Sequence, residues 1–297
     1  MKRKMLIRWF TFAVAGLLFA GGVRAADPRA ADLGAAGQRV ADPRAADLGA
    51  AGQRVADLRA AGQRADADPR TAAPRTLVIT CHTAPVNRVA FRSELNEVAR
   101  QWQQWTKEGV LRSWRLLANR YVDSANWDAI AILTVGEAGL SRWADIERAS
   151  PAGLTAKALA LTTAVETVPA DLVRESPAEA RGEQPVFLVI PYEYTVPVDD
   201  YIAYLDDYVL PQTDGWIEEG VLSRYGVYLA RYPAGRPWQS LLVLQYHSDR
   251  ALGERDAAVA KVRARLKANP KWKAISDAKK NVRIEKQPVI ADAVLAG

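Results

Sequence analysis

Two side chains that could act as an acid–base pair, His82 and Glu193, occupy matching positions in this chain of 297 residues. His82 follows the short apolar segment Thr76–Cys81, and Glu193 follows a similar segment at 186–191. Both segments have the length and composition of buried strands. A histidine beside a carboxylate can act as a general base near neutral pH. We therefore take the two residues as a candidate catalytic pair, the alternative being that both lie at solvent-exposed strand ends.

A second group of candidates combines arginine and aromatic side chains on two predicted strands, 110–121 and 221–232. One face of a strand that packs against helices should be apolar, which leaves the mixed face to point the other way. The predicted ligand-binding residues on this mixed face are Arg115, Asn119, Arg224 and Tyr228. Arginines among aromatic rings would suit an anionic or enol-like ligand. The alternative is that the arginines extend from strand edges into water.

The remaining residues exclude several common chemistries. No group of histidines, cysteines and carboxylates has the spacing of a zinc site, and the chain has only two histidines. It also lacks a phosphate loop, a dinucleotide fingerprint and a Gly-x-Ser-x-Gly elbow. A haem would need an axial ligand, and His247 stands at an ordinary strand end. We therefore expect no metal and no cofactor, and we expect the single cysteine, Cys81, to be a buried apolar residue.

The elements that must position these side chains belong to an internal repeat with an offset of 111 residues. Residues 105–111 and 216–222 share Trp, Glu, Gly, Val and Leu at the same positions. The same offset aligns Arg120-Tyr121 with Arg231-Tyr232, and Trp127 with Trp238. A repeat of this length predicts a duplicated unit. Because tryptophan, glycine and the Arg-Tyr pair recur, we expect them to hold the fold, and we look for function among residues that differ between the copies.

Each copy is predicted to have the order β-α-β-β-α-β. In the first copy the predicted strands are 76–81, 110–121, 127–135 and 160–168, with helices at 87–107 and from 140 onward. In the second copy they are 186–191, 221–232, 238–246 and 282–285. Its helices are predicted at 249–267, at 272–280 and from 199 through 209, where the first helix continues or restarts towards 219. This is the ferredoxin-like order, which places helices on one face of a sheet and leaves the other face to be covered.

The chain resembles the dimeric α/β-barrel superfamily in two places. Gly-Val-Leu opens the second strand of each copy, and the run 242–251 joins a strand ending in an aromatic residue to Ser and Ala at the next helix. The resemblance covers about 75–295. It implies an α+β fold in which two tandem ferredoxin-like units pack sheet to sheet as an intramolecular α/β barrel. Known members include small monooxygenases, isomerases and haem enzymes, so the fold does not choose an activity.

Two further segments precede the predicted fold. Residues 1–25 combine a basic start, an apolar stretch and small residues around Ala25, which predicts a secretory signal peptide, the alternative being an uncleaved anchor. Residues 26–75 contain an exact 15-residue repeat and no aromatic residue, which predicts a disordered linker. The ferredoxin-like units are expected at 76–175 and 185–295. We expect a periplasmic or secreted protein with no membrane span in its mature chain.

The net charge of +6 does not indicate nucleic-acid binding. Removal of residues 1–25 leaves 35 basic against 34 acidic side chains, whereas nucleic-acid binding needs a retained basic face. Charge is segregated instead, since residues 182–223 contain nine acids and no base, and 261–286 is strongly basic. We expect these segments to pair across adjacent helices, each exposed pair contributing about 0.2–1 kcal/mol.

Two functional hypotheses remain. In the first, the protein is an exported small-molecule-binding or structural α/β barrel. In the second, it is a cofactor-free monooxygenase- or isomerase-type enzyme acting on a small aromatic or enolisable anion in the barrel cavity. The discriminating feature is whether His82 shares an enclosed pocket with an acidic or arginine partner. The expected partner is a small-molecule ligand. The chain is expected to be either a monomer with an intramolecular pseudo-dimer or a higher homo-oligomer.

Overall fold

The computed structural model describes residues 75–176 and 184–294, and the predicted signal peptide and linker lie outside these ranges. The strands are β1 (Arg75–Thr83), β2 (Leu111–Asn119), β3 (Ala129–Val135), β4 (Thr162–Glu175), β5 (Val186–Tyr194), β6 (Leu222–Ala230), β7 (Ser240–Tyr246), β8 (Arg283–Glu285) and β9 (Val289–Ala293). The helices are α1 (Arg88–Lys107), α2 (Leu140–Ala149), α3 (Ala156–Leu161), α4 (Val198–Tyr204), α5 (Leu210–Glu218), α6 (Asp249–Gly253), α7 (Arg255–Leu266) and α8 (Pro270–Ala278).

The strands of the described residues form a closed antiparallel barrel. Its order is β7-β6-β4-β1-β3-β2-β9-β5, and β5 pairs with β7 to close the ring of eight strands. The short strand β8 continues the edge of β5 beyond β9. Closure removes the exposed sheet edges that would otherwise pair with other chains. The fold is therefore α+β, with the helices packed outside a barrel.

The final strand of each half pairs with strands of both halves, where the first half is residues 75–176 and the second is 184–294. Strand β4 lies between β1 and β6, and β9 lies between β5 and β2. Each half thus completes the sheet of the other. Two seams result, β4–β6 and β9–β2.

Equivalent arginines make equivalent contacts at the two seams. The Nε of Arg120 donates to Oδ1 of Asp292 at 3.1 Å, and an Nη of Arg231 donates to Oδ1 of Asp171 at 2.7 Å. The backbone N–H of each arginine also donates to a carbonyl of the opposite half. The arginine of each recurring Arg-Tyr pair therefore has a structural role at a seam, whereas Tyr121 and Tyr232 are exposed.

Apolar side chains form one cluster inside the barrel and two clusters outside it. The interior cluster contains residues from both halves, such as Val78 and Val243. The outer clusters lie between strands and helices, around Trp102 in the first half and Val262 in the second. Because apolar side chains fill the middle of the barrel, space for a ligand remains towards its ends.

Two glycines end the long helices in the way their sequence context predicts. Gly109 follows α1 and Gly220 follows α5, and both have φ of +76°. The next residue donates its N–H back to a tryptophan carbonyl, from Val110 to Trp105 at 2.9 Å. A residue in the left-handed region commonly ends a helix, and glycine adopts it without a steric penalty. Each helix therefore turns directly into the strand that follows it.

The final strands extend further than the sequence predicts. Strand β4 runs to Glu175 instead of ending at Val168, and β9 lies beyond the predicted last strand at 282–285. Both additional segments pair with the opposite half. Pairing with a distant strand has no signature in the local sequence. By composition alone, Pro169 and Pro288 indicate that the strands end there.

The helices show two features that the sequence did not define. Between 199 and 219, where a helix was expected to continue or restart after Val209, a π-helical turn, Leu205–Val209, joins α4 to α5. A short helix, α3, lies between α2 and β4, and the Thr155 hydroxyl caps it by accepting the N–H of Ala158 at 3.0 Å. Helix α3 is too short for its apolar residues to show a helical periodicity in the sequence.

Candidate functional site

The largest of the described cavities lies at one end of the barrel and has a volume of about 590 Å³. We call it the arginine cavity. Its charged lining residues are Arg112, Arg115, Arg224, Arg231, Asp171 and Glu175. Strands β1, β2, β3, β4 and β6 contribute to the lining, so both halves of the chain form it. The volume lies within the range of about 300–1,000 Å³ that small-molecule sites occupy.

Three β-bulges occur in the strands that form this cavity, and the bulge in β4 decides which of its charged side chains enters the cavity. They lie between Leu111 and Ser113 in β2, between Leu172 and Arg174 in β4, and between Leu222 and Arg224 in β6. A bulge shifts the alternation of a strand and so changes which side chains point inward. In β4 the shift turns Glu175 into the cavity and leaves Arg174 outside, where it pairs with Asp206.

Most of the charge in the cavity is internally paired. An Nη of Arg224 lies 2.7 Å from Oε2 of Glu175, and an Nη of Arg231 lies 2.7 Å from Oδ1 of Asp171. Both pairs are partly exposed, so each contributes little to stability. Among the described residues Arg112 and Arg115 form no ion pair, which leaves the cavity with an excess of positive charge.

Arg115 is held by an aromatic ring and a phenol instead of a carboxylate. Its guanidinium carbon lies 5.5 Å from the centre of the Phe187 ring, and the Tyr228 phenol lines the same cavity beside it. Burial lowers the pKa of Arg115 and raises the pKa of Tyr228. The phenol therefore stays protonated near neutral pH, and it can donate its hydrogen to a ligand.

Because Gly226 has no side chain, the Tyr228 ring can occupy the space beside it. A Cβ atom at Gly226 would lie 3.1 Å from Cε2 of Tyr228 and 3.2 Å from its hydroxyl oxygen. The residue at the matching position of the first half is Arg115. The two halves thus place a glycine and an arginine at equivalent positions, and the cavity is asymmetric as a result.

His82 and Glu193 do not belong to the arginine cavity. His82 lines a smaller cavity of about 280 Å³ at the other end of the barrel, together with Glu166 and Lys286. Glu193 lines none of the described cavities, and its Oε2 accepts from Nζ of Lys286 at 2.7 Å. Among the described residues the His82 imidazole has no hydrogen-bond partner. The carboxylates that share a cavity with His82 are therefore Glu166 and, in a neighbouring cavity of about 300 Å³, Asp123 and Asp128. The predicted Glu193 is not among them.

The two cavities are separated along β1. Thr76 lines the arginine cavity, whereas Thr80 and His82 line the smaller one. Four to six residues of strand span about 14–20 Å, and the interior apolar cluster fills that distance. The structure therefore brings Arg115, Arg224 and Tyr228 together and keeps them apart from His82.

Asn119 has a structural environment and does not line the arginine cavity. Its side-chain amide donates to the Trp127 carbonyl at 3.0 Å and accepts the backbone N–H of Tyr121 at 3.1 Å. It is buried at the end of β2 that is remote from Arg115. Because both polar atoms are engaged, we place no ligand on this residue.

Sequence reasoning did not identify Asp171, Glu175 and Gly226 as part of the site. Both carboxylates lie in the part of β4 beyond the predicted strand end. Gly226 was visible only as a break in the alternation of the second strand, since it replaces a large residue on the mixed face. The pairing of β4 with β6 supplies the missing information.

The residues of the arginine cavity do not fit a metal or a haem. Within 75–176 and 184–294, no cluster of three histidine, cysteine or carboxylate side chains could hold a metal ion. The arginine cavity is lined by no histidine, cysteine or methionine, and its tyrosine, Tyr228, is kept protonated by burial. Haem iron needs such an axial ligand, so we derive no step through this group.

No family model matches the chain, and no curated protein matches it. A Fusobacterium nucleatum protein named "putative monooxygenase" matches 75% of this chain and 93% of its own at 10% identity, with a TM-score of 0.50. A Lactobacillus acidophilus protein of the same name has 12% identity, coverages of 75% and 94% and a TM-score of 0.45. A haem-binding protein from Thermus thermophilus has 10% identity, coverages of 75% and 92% and a TM-score of 0.42.

Sequence identities this low show the fold alone. The comparison rests on the Fusobacterium nucleatum structure, which has the TM-score of 0.50. The chain has the dimeric α/β-barrel fold, as its sequence predicts. In the part of the chain that the structure describes, no helix has the length and apolar character needed to cross a membrane.

Proposed function

We propose that this protein binds a small organic anion in the arginine cavity. The observation that carries the proposal is Arg115, a largely buried cation that faces a cavity of about 590 Å³ and has no carboxylate partner among the described residues. A charge in this position is costly to desolvate unless it is paired. A carboxylate ligand would supply the partner, and the Phe187 ring and Tyr228 hydroxyl would hold the guanidinium in place.

The proposal is tested by calorimetry with benzoate and its neutral analogue, benzyl alcohol. We expect benzoate to bind and Arg115→Met to weaken its binding by about 10–100-fold, because a hydrogen bond to a charged group contributes about 1.5–3 kcal/mol. Arg148→Met is the matched control, since Arg148 is an exposed arginine of the same half that does not line the cavity. Equal binding of acid and alcohol, or an unchanged Kd in Arg115→Met, contradicts the proposal.

A second candidate is an enzyme that acts on an enolisable aromatic anion, and Tyr228 favours it. The Tyr228 hydroxyl and the Arg115 guanidinium are two donors facing one space, where they would stabilise an enolate oxygen. Glu175 lines the same cavity and is the candidate base, although Arg224 pairs with it. The names of the structural neighbours support an enzyme only as analogy, because the fold hosts many functions.

This candidate is tested by NMR exchange of the acidic protons of phenylpyruvate in heavy water. Catalysed exchange that is slowed in Tyr228→Phe and Glu175→Gln, and retained in Arg148→Met, supports enzymatic action. A rate equal to that in buffer alone leaves the protein as a binder of anions.

We propose further that the two halves are tandem ferredoxin-like units. The support is that residues separated by 111 positions make equivalent contacts, as Gly109 and Gly220 do at the helix ends and Arg120 and Arg231 do at the seams. Each half also has the order strand, helix, strand, strand, helix, strand, with the short strand β8 as an addition in the second half. An oligomer of such chains would be a dimer of pseudo-dimers, and mass photometry distinguishes it from a monomer.

Export is likewise a proposal, based on the signal-like residues 1–25. It predicts that the mature protein begins near Ala26 and is released with the periplasmic or extracellular fraction. N-terminal sequencing of the purified native protein checks this, and a retained Met1 in the cytoplasmic fraction would contradict it. The role of the repeats in 26–75 is a separate question that the cavity does not address.

A further inference from the structure

The smaller cavity of about 280 Å³ that His82 lines has a chemistry of its own, and we call it the histidine cavity. Four pairs of its lining residues are related by the offset of 111 positions, so both halves contribute equivalent positions to its wall. These pairs are Thr80 with Pro191, Asn126 with Pro237, Trp127 with Trp238, and Ile130 with Leu241.

Two of these pairs differ in chemistry between the halves. Thr80 and Asn126 of the first half are polar, whereas the equivalent Pro191 and Pro237 of the second half are apolar. The apolar surface can be reached from solvent, because Pro237 is exposed and Pro191 is half-buried. At these positions the histidine cavity therefore combines a polar side with an accessible apolar side.

His82 and Asn126 carry hydrogen-bonding groups that the described protein does not use. The His82 imidazole has no partner within 75–176 and 184–294. Nδ2 of Asn126 donates to Oδ2 of Asp123 at 2.7 Å, while its Oδ1 accepts from no residue of these ranges. Both side chains are half-buried, so a ligand can reach them. A neutral imidazole offers one donor and one acceptor, and the amide oxygen adds a second acceptor.

Paired strands hold His82 in position. Thr80 and His82 are two residues apart on β1, so their side chains share one face of the strand. Glu166 of β4 lies directly opposite Thr80. Groups that are held by strands are placed more precisely than groups on loops, which suits recognition by hydrogen bonds.

The charged groups of the histidine cavity are already paired. Oε1 of Glu166 lies 2.6 Å from an Nη of Arg236, and Nζ of Lys286 lies 2.7 Å from Oε2 of Glu193. The arginine cavity, by comparison, has an excess of positive charge. An ion entering the histidine cavity would lose its hydration without gaining an unpaired partner, so the cavity favours a neutral ligand.

We propose that the histidine cavity binds a small neutral cyclic amide. The amide N–H would donate to Oδ1 of Asn126, and the amide carbonyl would accept from the His82 imidazole. The ring would lie against the accessible surface of Pro191 and Pro237. The volume lies just below the range of about 300–1,000 Å³ for small-molecule sites, which suits a single ring. This site is separate from the proposed anion site in the arginine cavity.

The proposal is tested by calorimetry with 2-pyridone, a neutral six-membered cyclic amide. We expect 2-pyridone to bind and His82→Leu to weaken binding at least tenfold, which corresponds to about 1.4 kcal/mol. His247→Leu is the matched control, because His247 lines neither of the two cavities that His82 lines, and we expect its Kd to be unchanged. Thermal unfolding of both variants checks that they remain folded.

A change of ligand tests the hydrogen bonds without changing the protein. N-Methyl-2-pyridone keeps the ring and the carbonyl but lacks the N–H, and we expect it to bind at least tenfold more weakly, about 1.4 kcal/mol. Equal binding of the two amides overturns the contact with Asn126. Absence of 2-pyridone binding, or an equal loss of affinity in His82→Leu and His247→Leu, overturns the site. Displacement of 2-pyridone by benzoate would assign it to the arginine cavity and overturn the site as well.

Discussion

At the scale of single residues, the same side-chain type has different roles according to what it contacts. Arg224 and Arg231 are neutralised by Glu175 and Asp171, whereas Arg115 has only an aromatic ring and a phenol beside it. Neither composition nor spacing distinguishes these arginines. The unpaired one is the best candidate for ligand binding, because a charged ligand gives it the partner that the protein does not.

The space beside Tyr228 gives a first residue-scale prediction. Gly226→Ala should lower the free energy of unfolding by about 1–3 kcal/mol, the usual cost of overpacking, because its Cβ would meet the Tyr228 ring at 3.1 Å. Gly253→Ala is the control, since no atom lies within 4 Å of the added Cβ there. Urea unfolding of both variants measures the difference. If the two variants are equally stable, Tyr228 is not held against Gly226.

Cys81 gives a second prediction at this scale. Burial raises the pKa of its thiol to about 12, with Asp128 adding to the effect. The reactive thiolate is therefore almost absent in the folded protein near pH 8, where a free cysteine with a pKa of about 8.5 is partly ionised. We expect iodoacetamide to label Cys81 quickly in urea and very slowly in buffer. Rapid labelling of the folded protein would show that the thiol is accessible.

The raised pKa of the Cys81 thiol also makes the stability of the protein depend on pH. Above the ordinary pKa of a cysteine the unfolded chain loses its thiol proton while the folded chain keeps it, so this contribution to stability is lost as the pH rises towards about 12. Labelling of the folded protein should accelerate over the same range. Cys81→Ala should show a smaller loss of stability than the unchanged protein.

At the scale of elements, bulges and helix charges decide where the functional groups lie. The bulge in β4 turns Glu175 into the arginine cavity, where a regular strand would point Arg174. The acidic and basic segments of the second half pair as predicted, with Lys261 binding Glu219 at 2.6 Å and Arg265 binding Glu218 at 2.6 Å. Helices α5 and α7 are therefore joined by complementary charge along their exposed sides.

The close approach of α5 and α7 depends on Gly215. A Cβ atom at this position would lie 2.6 Å from Cγ1 of Val262, so Gly215→Ala should separate the helices and lower the free energy of unfolding by about 1–3 kcal/mol. Addition of Val262→Ala removes the obstructing methyl groups. We expect the double variant to be more stable than the sum of the two single changes predicts, as measured by a double-mutant cycle in urea. Strict additivity would argue against direct contact.

At the scale of the whole described molecule, neither half can bury the interior of the barrel alone. The interior cluster draws on strands of both halves, and β4 and β9 cross the seams to complete the opposite sheets. A half without its partner would expose this apolar face to water, which favours association or aggregation. The two halves should therefore behave as one cooperative unit.

Calorimetry tests this cooperativity. We expect a single thermal transition whose calorimetric and van't Hoff enthalpies agree. Ala291→Asp would place a charge in the interior at the β9–β2 seam, where Ala291 is 0% exposed, and it should lower the unfolding temperature of both halves together. Ile284→Asp is the control, because Ile284 is 46% exposed and the change should have little effect. Two separate transitions would show that the halves fold independently.

The sequence by itself determined the order of the elements other than α3 and β9, the inward face of the central strands and the helix-ending glycines, because these follow from local periodicity and from a repeat visible in the chain. It also identified Arg115, Arg224 and Tyr228 as candidates, since they interrupt an otherwise apolar alternation. Only the tertiary structure separated His82 from Arg115, placed Glu166, Asp123 and Asp128 instead of Glu193 in the cavities that His82 lines, and added Glu175 to the arginine cavity. These outcomes depend on strand pairing between distant segments and on bulges, and neither leaves a pattern in the local sequence.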